Sequence, residues 1–209
     1  MRHLIFLAGL VPWLVFPAPA YSGDVEHADV EQARRLVIET GERVLAALRA
    51  EKERMQKEPG YVHDLVDRIV LPHFDFERIA RWVLGKYVRK ASPEQLQRFT
   101  REFRTLLVRT YASALNEYTD QKIDYPPLRA RPGSREVTVH SEVSQPGAFP
   151  IPIDYDLYLK DGEWKVYDVK VDGVSLVANY RSGFYRQIRQ KGLEALIENL
   201  SRRNREASS

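Results

Sequence analysis

Apolar side chains at Val30, Ala33, Val37, Gly41, Val44, Leu45 and Leu48, set among Glu, Arg and Lys, predict an amphipathic helix from Val30 to about Gln56. Glu58-Pro59-Gly60 ends it. Leu65, Val66, Ile69 and Val70 mark a second helix that stops near Pro72, because proline disfavours helical geometry in the residue before it. A third is expected from about Phe76 to Tyr87, with Ile79, Val83 and Tyr87 along one side and Trp82 beside them. The fourth has the clearest start: Ser92 caps, Pro93 suits the first helical position, and Gln95 completes a capping box. Leu96, Phe99, Phe103, Leu106, Leu107, Thr110, Tyr111 and Ala114 then hold a helical spacing to about Tyr118.

Pro126, Pro127, Pro132 and Gly133 separate this helical half from a β half. Val137, Val139 and Val143 alternate with polar residues in a strand. Ile151 to Lys160, Asp161-Gly162 and Glu163 to Val171 predict a hairpin, since Asp-Gly between alternating runs is its strongest local signal. A simple two-residue turn sets Leu159 opposite Trp164, Leu157 opposite Val166 and Tyr155 opposite Asp168 on one side. Tyr158, Asp156, Tyr167 and Val169 then fall on the other side. Both sides are part apolar, which requires either a strong twist or a bulge. After Asp172-Gly173 the alternation changes to steps of three and four at Val177, Tyr180, Phe184 and Ile188. A closing helix is therefore expected over about Ser175 to Gln190, with another around Leu193 to Leu200. Helices followed by an antiparallel sheet and closing helices define an α+β fold.

With 209 residues and 44% of them hydrophobic, the chain suits one domain with an ample core. Residues 21–204 are expected to form it, the helical part over about 28–120 and the sheet and closing helices over about 121–200, leaving 205–209 as a flexible tail. Arg2 and His3 before an uncharged run from Leu4 to Phe16, followed by Ala18-Pro19-Ala20, predict a cleaved secretory signal over residues 1–20 and a soluble exported protein. Its removal takes Arg2 and lowers the formal charge from +3 to +2, a balance that gives no warrant for nucleic-acid binding. Arg186, Arg189, Lys191, Arg202, Arg203 and Arg205 read either as a solvated helix face or as a surface for an acidic partner or anionic headgroups. The absence of cysteine removes a disulfide framework, a cysteine-borne lipid anchor and a thiolate nucleophile together.

Candidate chemistry is sparse. His3, His27, His63, His73 and His140 are scattered without metal-ligand spacing, and there is neither a glycine-rich phosphate loop nor a nucleophile elbow around Ser175. Neither a metal nor another cofactor is expected. Asp154, Asp156 and Asp168 are the carboxylates to weigh as general bases in an apolar pocket. Asp168, flanked by Tyr167 and Val169, is the best of them, and the competing reading is an ordinary carboxylate that accepts from Arg or Tyr. The aromatic and aliphatic stripes are either plain core or the lining of a ligand compartment, whose walls need apolar side chains and no catalytic machinery. As a lining they comprise Trp82, Phe99, Phe103, Leu106 and Tyr111 from the helical half and Val137, Val139, Ile153, Tyr155, Leu157, Val166 and Val169 from the strands. Val174, Leu176, Val177, Tyr180 and Phe184 add the strand-to-helix joint and the closing helix.

Gly173-Val174-Ser175-Leu176-Val177 followed by Asn179-Tyr180-Arg181 and Phe184, together with Leu71-Pro72-His73-Phe74-Asp75-Phe76 and the stretch from Trp82 to Tyr87, resembles the MlaC-type phospholipid carriers, the periplasmic toluene-tolerance family of Gram-negative bacteria. The resemblance spans roughly the whole mature chain. It implies long helices on a twisted antiparallel sheet enclosing a cone-like apolar pocket, a nuclear-transport-factor-2-like shape with extra helices. The implied role is non-enzymatic: a periplasmic shuttle for glycerophospholipids that maintains outer-membrane asymmetry. The implied partners are an outer-membrane lipoprotein and porin complex and an inner-membrane ATP-driven transporter. Tyr180 and Arg181 would support the pocket rim or the joint, unless Arg181 makes a salt bridge to Asp168 or Asp172. A small-molecule enzyme using a buried Asp, and a non-catalytic adaptor with a filled core, are the remaining readings.

Overall fold

A computed structural model describes residues 29–58, 60–117, 121–144, 147 and 149–206. The expected signal segment, Tyr118 at the end of the fourth helix, and residues 207–209 of the tail lie outside them.

Helix α1 spans Val30–Ala50 and is capped by Asp29, whose carboxylate accepts from the Glu31 amide at 3.0 Å. It buries Ala33, Val37, Val44 and Leu48. The helix does not continue to Gln56: the apolar stripe ends at Leu48, the chain turns at Glu51, and the short α2, Lys52–Lys57, buries no side chain. α3 spans Tyr61–Ile69 and gives way to a 3-10 turn at Leu71–His73 that holds Pro72. α4 spans Phe76–Leu84 and stops short of Tyr87 because Gly85 takes φ +49°; a 3-10 segment, Gly85–Lys90, follows. α5, Pro93–Ala112, starts with the complete Ser92–Gln95 capping box and tightens into a 3-10 segment, Ser113–Glu117.

The sheet is a five-stranded antiparallel meander in chain order: β1 Lys122–Asp124, β2 Glu136–Ser144, β3 Ile151–Lys160, β4 Glu163–Val171 and β5 Val174–Ser175. β2, β3 and β4 fall where the alternation places them. α6, Leu176–Glu206, contains both expected closing helices, broken at Gly192 with φ 85°. Arg205 and Glu206 are helical rather than part of a frayed tail.

Two large apolar clusters divide the molecule. One packs α4, α5 and α6 through Ile79, Val83, Phe99, Phe103, Val177 and Phe184, with the rings of Phe99 and Phe103 edge-on to Phe184. The other packs α1 on one face of the sheet through Ala33, Val37, Val137, Val139, Leu157 and Val166. α3 closes against α1 and α5 through smaller clusters. Phe74 touches both large clusters and bridges to Val166 at the edge of β4, so the α3–α4 connection joins the helical half to the sheet.

Candidate functional site

The β3–β4 register decides which side chains face α1. Leu159 opposes Trp164 and Leu157 opposes Val166 as expected, but the next pair is Asp156 with Asp168. Tyr167 is the extra residue of a bulge. Tyr155 therefore pairs with Val169 and not with Asp168, and the bulge is what reconciles two part-apolar faces. Tyr155, Leu157, Val166 and Val169 join the α1-facing cluster. Asp156, Tyr158, Tyr167 and Asp168 lie on the opposite side, where the Tyr158 and Tyr167 rings meet edge to face.

The carboxylates weighed as general bases are all engaged. Asp156 accepts from Thr138 Oγ1 at 2.7 Å and pairs with Lys170 Nζ at 2.7 Å. Asp154 meets His140 Nδ1 across the β2–β3 pair at 2.7 Å. Asp168 accepts from Ser175 Oγ at 2.6 Å, the Val177 amide at 3.3 Å and its neighbour's amide, Val169, at 2.9 Å, while Ser175 Oγ accepts from the Ala178 amide. Burial pushes the Asp168 carboxyl above its ordinary value against the pull of these donors. Its geometry is that of an anchor for the first turn of α6, directed away from Tyr155. Among the described residues no group of three or more His, Cys, Asp or Glu is placed to hold a metal ion.

The residues singled out as lining separate by depth. Phe99, Phe103, Val177 and Phe184 are fully packed in the helical cluster; Val137, Val139, Leu157 and Val166 are fully packed between α1 and the sheet. Leu106, Tyr111, Ile153, Tyr155, Val169, Leu176 and Tyr180 keep part of their surface. Trp82 and Val174 lie outside, 42% and 57% exposed. Tyr111 and Tyr180 hydrogen-bond to each other across α5 and α6, and burial pushes the Tyr111 phenol up to about 12. Burial likewise raises the Tyr155 phenol, which is hydrogen-bonded to Ser141. It also raises Tyr125 to about 12, the hydroxyl of which lies against Gly41 of α1 so closely that a Cβ there would stand 2.1 Å from it.

Arg181 makes no ion pair with Asp168 or Asp172. Its Nε and Nη2 donate to Tyr185 Oη at 3.3 and 3.2 Å, and the guanidinium sits 5.2 Å from the Trp82 ring centre, a cation–π contact on the surface of α4 and α6.

Sequence reasoning passed over one cluster. Asp75 caps α4, accepting from the Arg78 amide at 2.9 Å, and also takes the Tyr158 hydroxyl and Lys160 Nζ from β3, the latter at 2.8 Å. Arg78 stacks on Tyr158 and Tyr167, 3.8 and 4.4 Å from the ring centres, and pairs with Glu136 at 2.7 Å. Asp75, Arg78, Tyr158 and Lys160 line a groove of about 300 Å³ with Glu77 and Arg81. The available signal was Asp75 standing immediately before the apolar spacing of α4.

The arrangement of helices packed on one open antiparallel meander is similar to that of a solved phospholipid-binding protein from Ralstonia solanacearum, determined in complex with a phospholipid. The two match with a TM-score of 0.78 and 31% identity, over 85% of this chain and 99% of that one. Residues 39–202 match the family model of the MlaC protein, and the chain belongs to the MlaC family. Two relatives agree. The toluene tolerance protein Ttg2D of Pseudomonas putida is 33% identical over 184 residues, 88% of this chain and 82% of the relative. The intermembrane phospholipid transport system binding protein MlaC of Haemophilus influenzae is 27% identical over 165 residues, 78% and 77% of the two chains.

Proposed function

We propose that the chain binds a glycerophospholipid, holds its acyl chains between the α1-facing side of the sheet and the helices, and carries it through the periplasm. The route runs between an outer-membrane lipoprotein and porin complex and an inner-membrane ATP-driven transporter, and maintains outer-membrane asymmetry. No helix among the described residues is long and apolar enough to cross a membrane.

The observation that carries the reading is Tyr155. It packs in the α1-facing cluster beside the buried Leu157 and Val166, yet it keeps accessible surface, and so do its neighbours Ile153 and Val169. An apolar sheet face that packs on a helix at one end and keeps uncovered surface along the rest offers room for a ligand that a filled core does not. Leu106, Tyr111 and Tyr180 approach the same condition from the helices. Each buried methylene contributes roughly 0.8 kcal/mol, so two acyl chains in such a space supply ample driving force without a headgroup-specific site. The phospholipid held by the Ralstonia protein and the names of the two relatives favour this cargo.

The test is native mass spectrometry of the mature protein purified without detergent, followed by solvent extraction. Discrete adducts of phospholipid mass are expected. A clean apo mass, with no uptake from vesicles, would refute the proposal and favour a filled-core adaptor.

A further inference from the structure

The α1-facing side of the sheet is uncovered progressively toward one end. Along β3 the inward positions pass from Leu157, 0% exposed, through the partly buried Tyr155 and Ile153 to Ile151 at 40%. Their partners on β4 change in step: Val166 opposite Leu157 is buried, whereas Val169 opposite Tyr155 and Val171 opposite Ile153 are partly uncovered, while on β2 Val139 and Ser141 stay buried and Val143 opposite Ile151 is partly uncovered. The face is therefore closed around Leu157, Val166 and Trp164, near the β3–β4 hairpin, and open at the end where β2 joins β3 and β4 turns into β5. At that open end Phe149 is 93% exposed and Val174 57%, and the chain from Val143 to Ile153 contains no charged residue.

We infer that this end is the mouth of the compartment and that Phe149, Ile151 and Val174 seat it on a phospholipid bilayer, their side chains entering at the acyl boundary. The inference rests on the carrier reading above. Two observations select a bilayer as the occupant. The exposed tip continues without a polar interruption into the interior through Ile151, Ile153 and Tyr155, so an acyl chain leaving a membrane stays against apolar side chains throughout. The three side chains together offer on the order of a few hundred Å², short of the roughly 800 Å² that each side of a stable protein interface buries. The charges next to the rim are of both signs, Asp172 in the β4–β5 turn and Glu142 on β2 against Lys122 opposite Ser144 and Lys170 opposite Ser175, and the three seating side chains are uncharged, so contact with the bilayer is apolar in origin and insensitive to salt.

The chain contains no cysteine, so Phe149→Cys supplies a unique site for an environment-sensitive fluorophore. Adding phosphatidylcholine vesicles to the mature labelled protein should raise its emission several-fold, at low and high salt alike. The same label at Glu163→Cys, at the closed end, should not respond. In parallel, Phe149→Ser should slow transfer of fluorescent phosphatidylcholine between vesicles about tenfold, with Phe149→Leu restoring most of the rate and all three proteins carrying the same lipid by native mass spectrometry. A label that stays dark on vesicles while the protein holds phospholipid, or an unslowed Phe149→Ser protein, would overturn the bilayer seating and leave the carrier reading standing. A vesicle response of the label that appears only when a membrane-protein partner is present would likewise overturn it in favour of a protein dock. Wild-type protein without phospholipid would instead remove the carrier reading itself.

Discussion

Asp75→Asn separates charge from capping at the point where α4 meets the sheet. Burial by itself would raise the Asp75 carboxyl, but hydrogen bonds from Lys160, Tyr158 and the Arg78 amide outweigh it and hold the group at about 2 against an ordinary 3.8. The difference between 3.8 and about 2 corresponds to ~2.5 kcal/mol of preference for the ionised carboxylate in the folded protein. Lys160 is 44% exposed, so solvent screening reduces this to about 1–2 kcal/mol. The folded value is depressed, so this stability is present above 3.8 and is lost as the pH falls toward 2. Asparagine keeps an acceptor for the Arg78 amide and caps about as well as aspartate. Urea unfolding at a series of pH values from about 7 to about 2 should therefore show wild type about 1–2 kcal/mol more stable than Asp75→Asn at neutral pH, with the gap closing on acidification. A gap independent of pH would show that the carboxylate's charge does not join helix and sheet, and the argument would fail.

Gly85→Ala should destabilise by about 2–4 kcal/mol, because a Cβ at φ +49° would stand 2.0 Å from Tyr185 Oη and 2.8 Å from Arg181 Nη2. Gly173→Ala, at φ +75° with nothing within 4 Å, should cost only the backbone strain, about 1–2 kcal/mol, and equal midpoints for the two variants in urea would contradict the packing. Asp168→Ala should cost about 1–3 kcal/mol by leaving the Ser175 hydroxyl and Val177 amide without their acceptor, whereas Asp168→Asn should recover most of it and carry the same phospholipid as wild type. Since burial raises the Asp168 carboxyl, the stability of wild type relative to Asp168→Asn should fall as the pH rises through that raised value; loss of lipid from the Asn variant would return Asp168 to the site. Phe103→Ala, at the centre of the α4–α5–α6 cluster, should cost about 3–5 kcal/mol in the same denaturation assay, and a loss under 1 kcal/mol would contradict its packing against Phe99, Tyr180 and Phe184.

What the sequence made legible was local. Ser92, Pro93 and Gln95 specify the start of α5 because a capping box is complete within four residues, and Asp161-Gly162 specifies the hairpin because the turn needs positive φ at both positions, 50° and 84° here. What it hid depends on partners far along the chain. The bulge at Tyr167 satisfies Asp168 through the first turn of α6, so the alternation around it is compatible with either register until that helix is placed. Arg181 could be matched on paper to Asp168 or Asp172, but only the fold brings Trp82 and Tyr185 to it. Asp75 carried its local capping role in plain view, while its bonds to Tyr158 and Lys160 cross more than eighty residues. The stripes were readable as apolar, and which of them remain half uncovered is decided by the packing of elements far apart in the chain.

The extra residue in β4 also determines where this protein tolerates a change in length. From Glu163 to Val166 the strand keeps step with β3 in one parity, and from Asp168 onward in the other, with Tyr167 as the odd count between them. Deleting Tyr167 would leave every remaining side chain on its present side. Deleting Lys165 instead, with Tyr167 drawn into the ladder, would leave Trp164 opposite Leu159 but set Tyr167 opposite Leu157 on the α1-facing side and turn Val166 out. Related chains that differ by one residue here are thus expected to differ at the bulge and nowhere else in the strand, and an alignment that places the gap two positions away would exchange Val166 and Tyr167 between the two faces of the sheet.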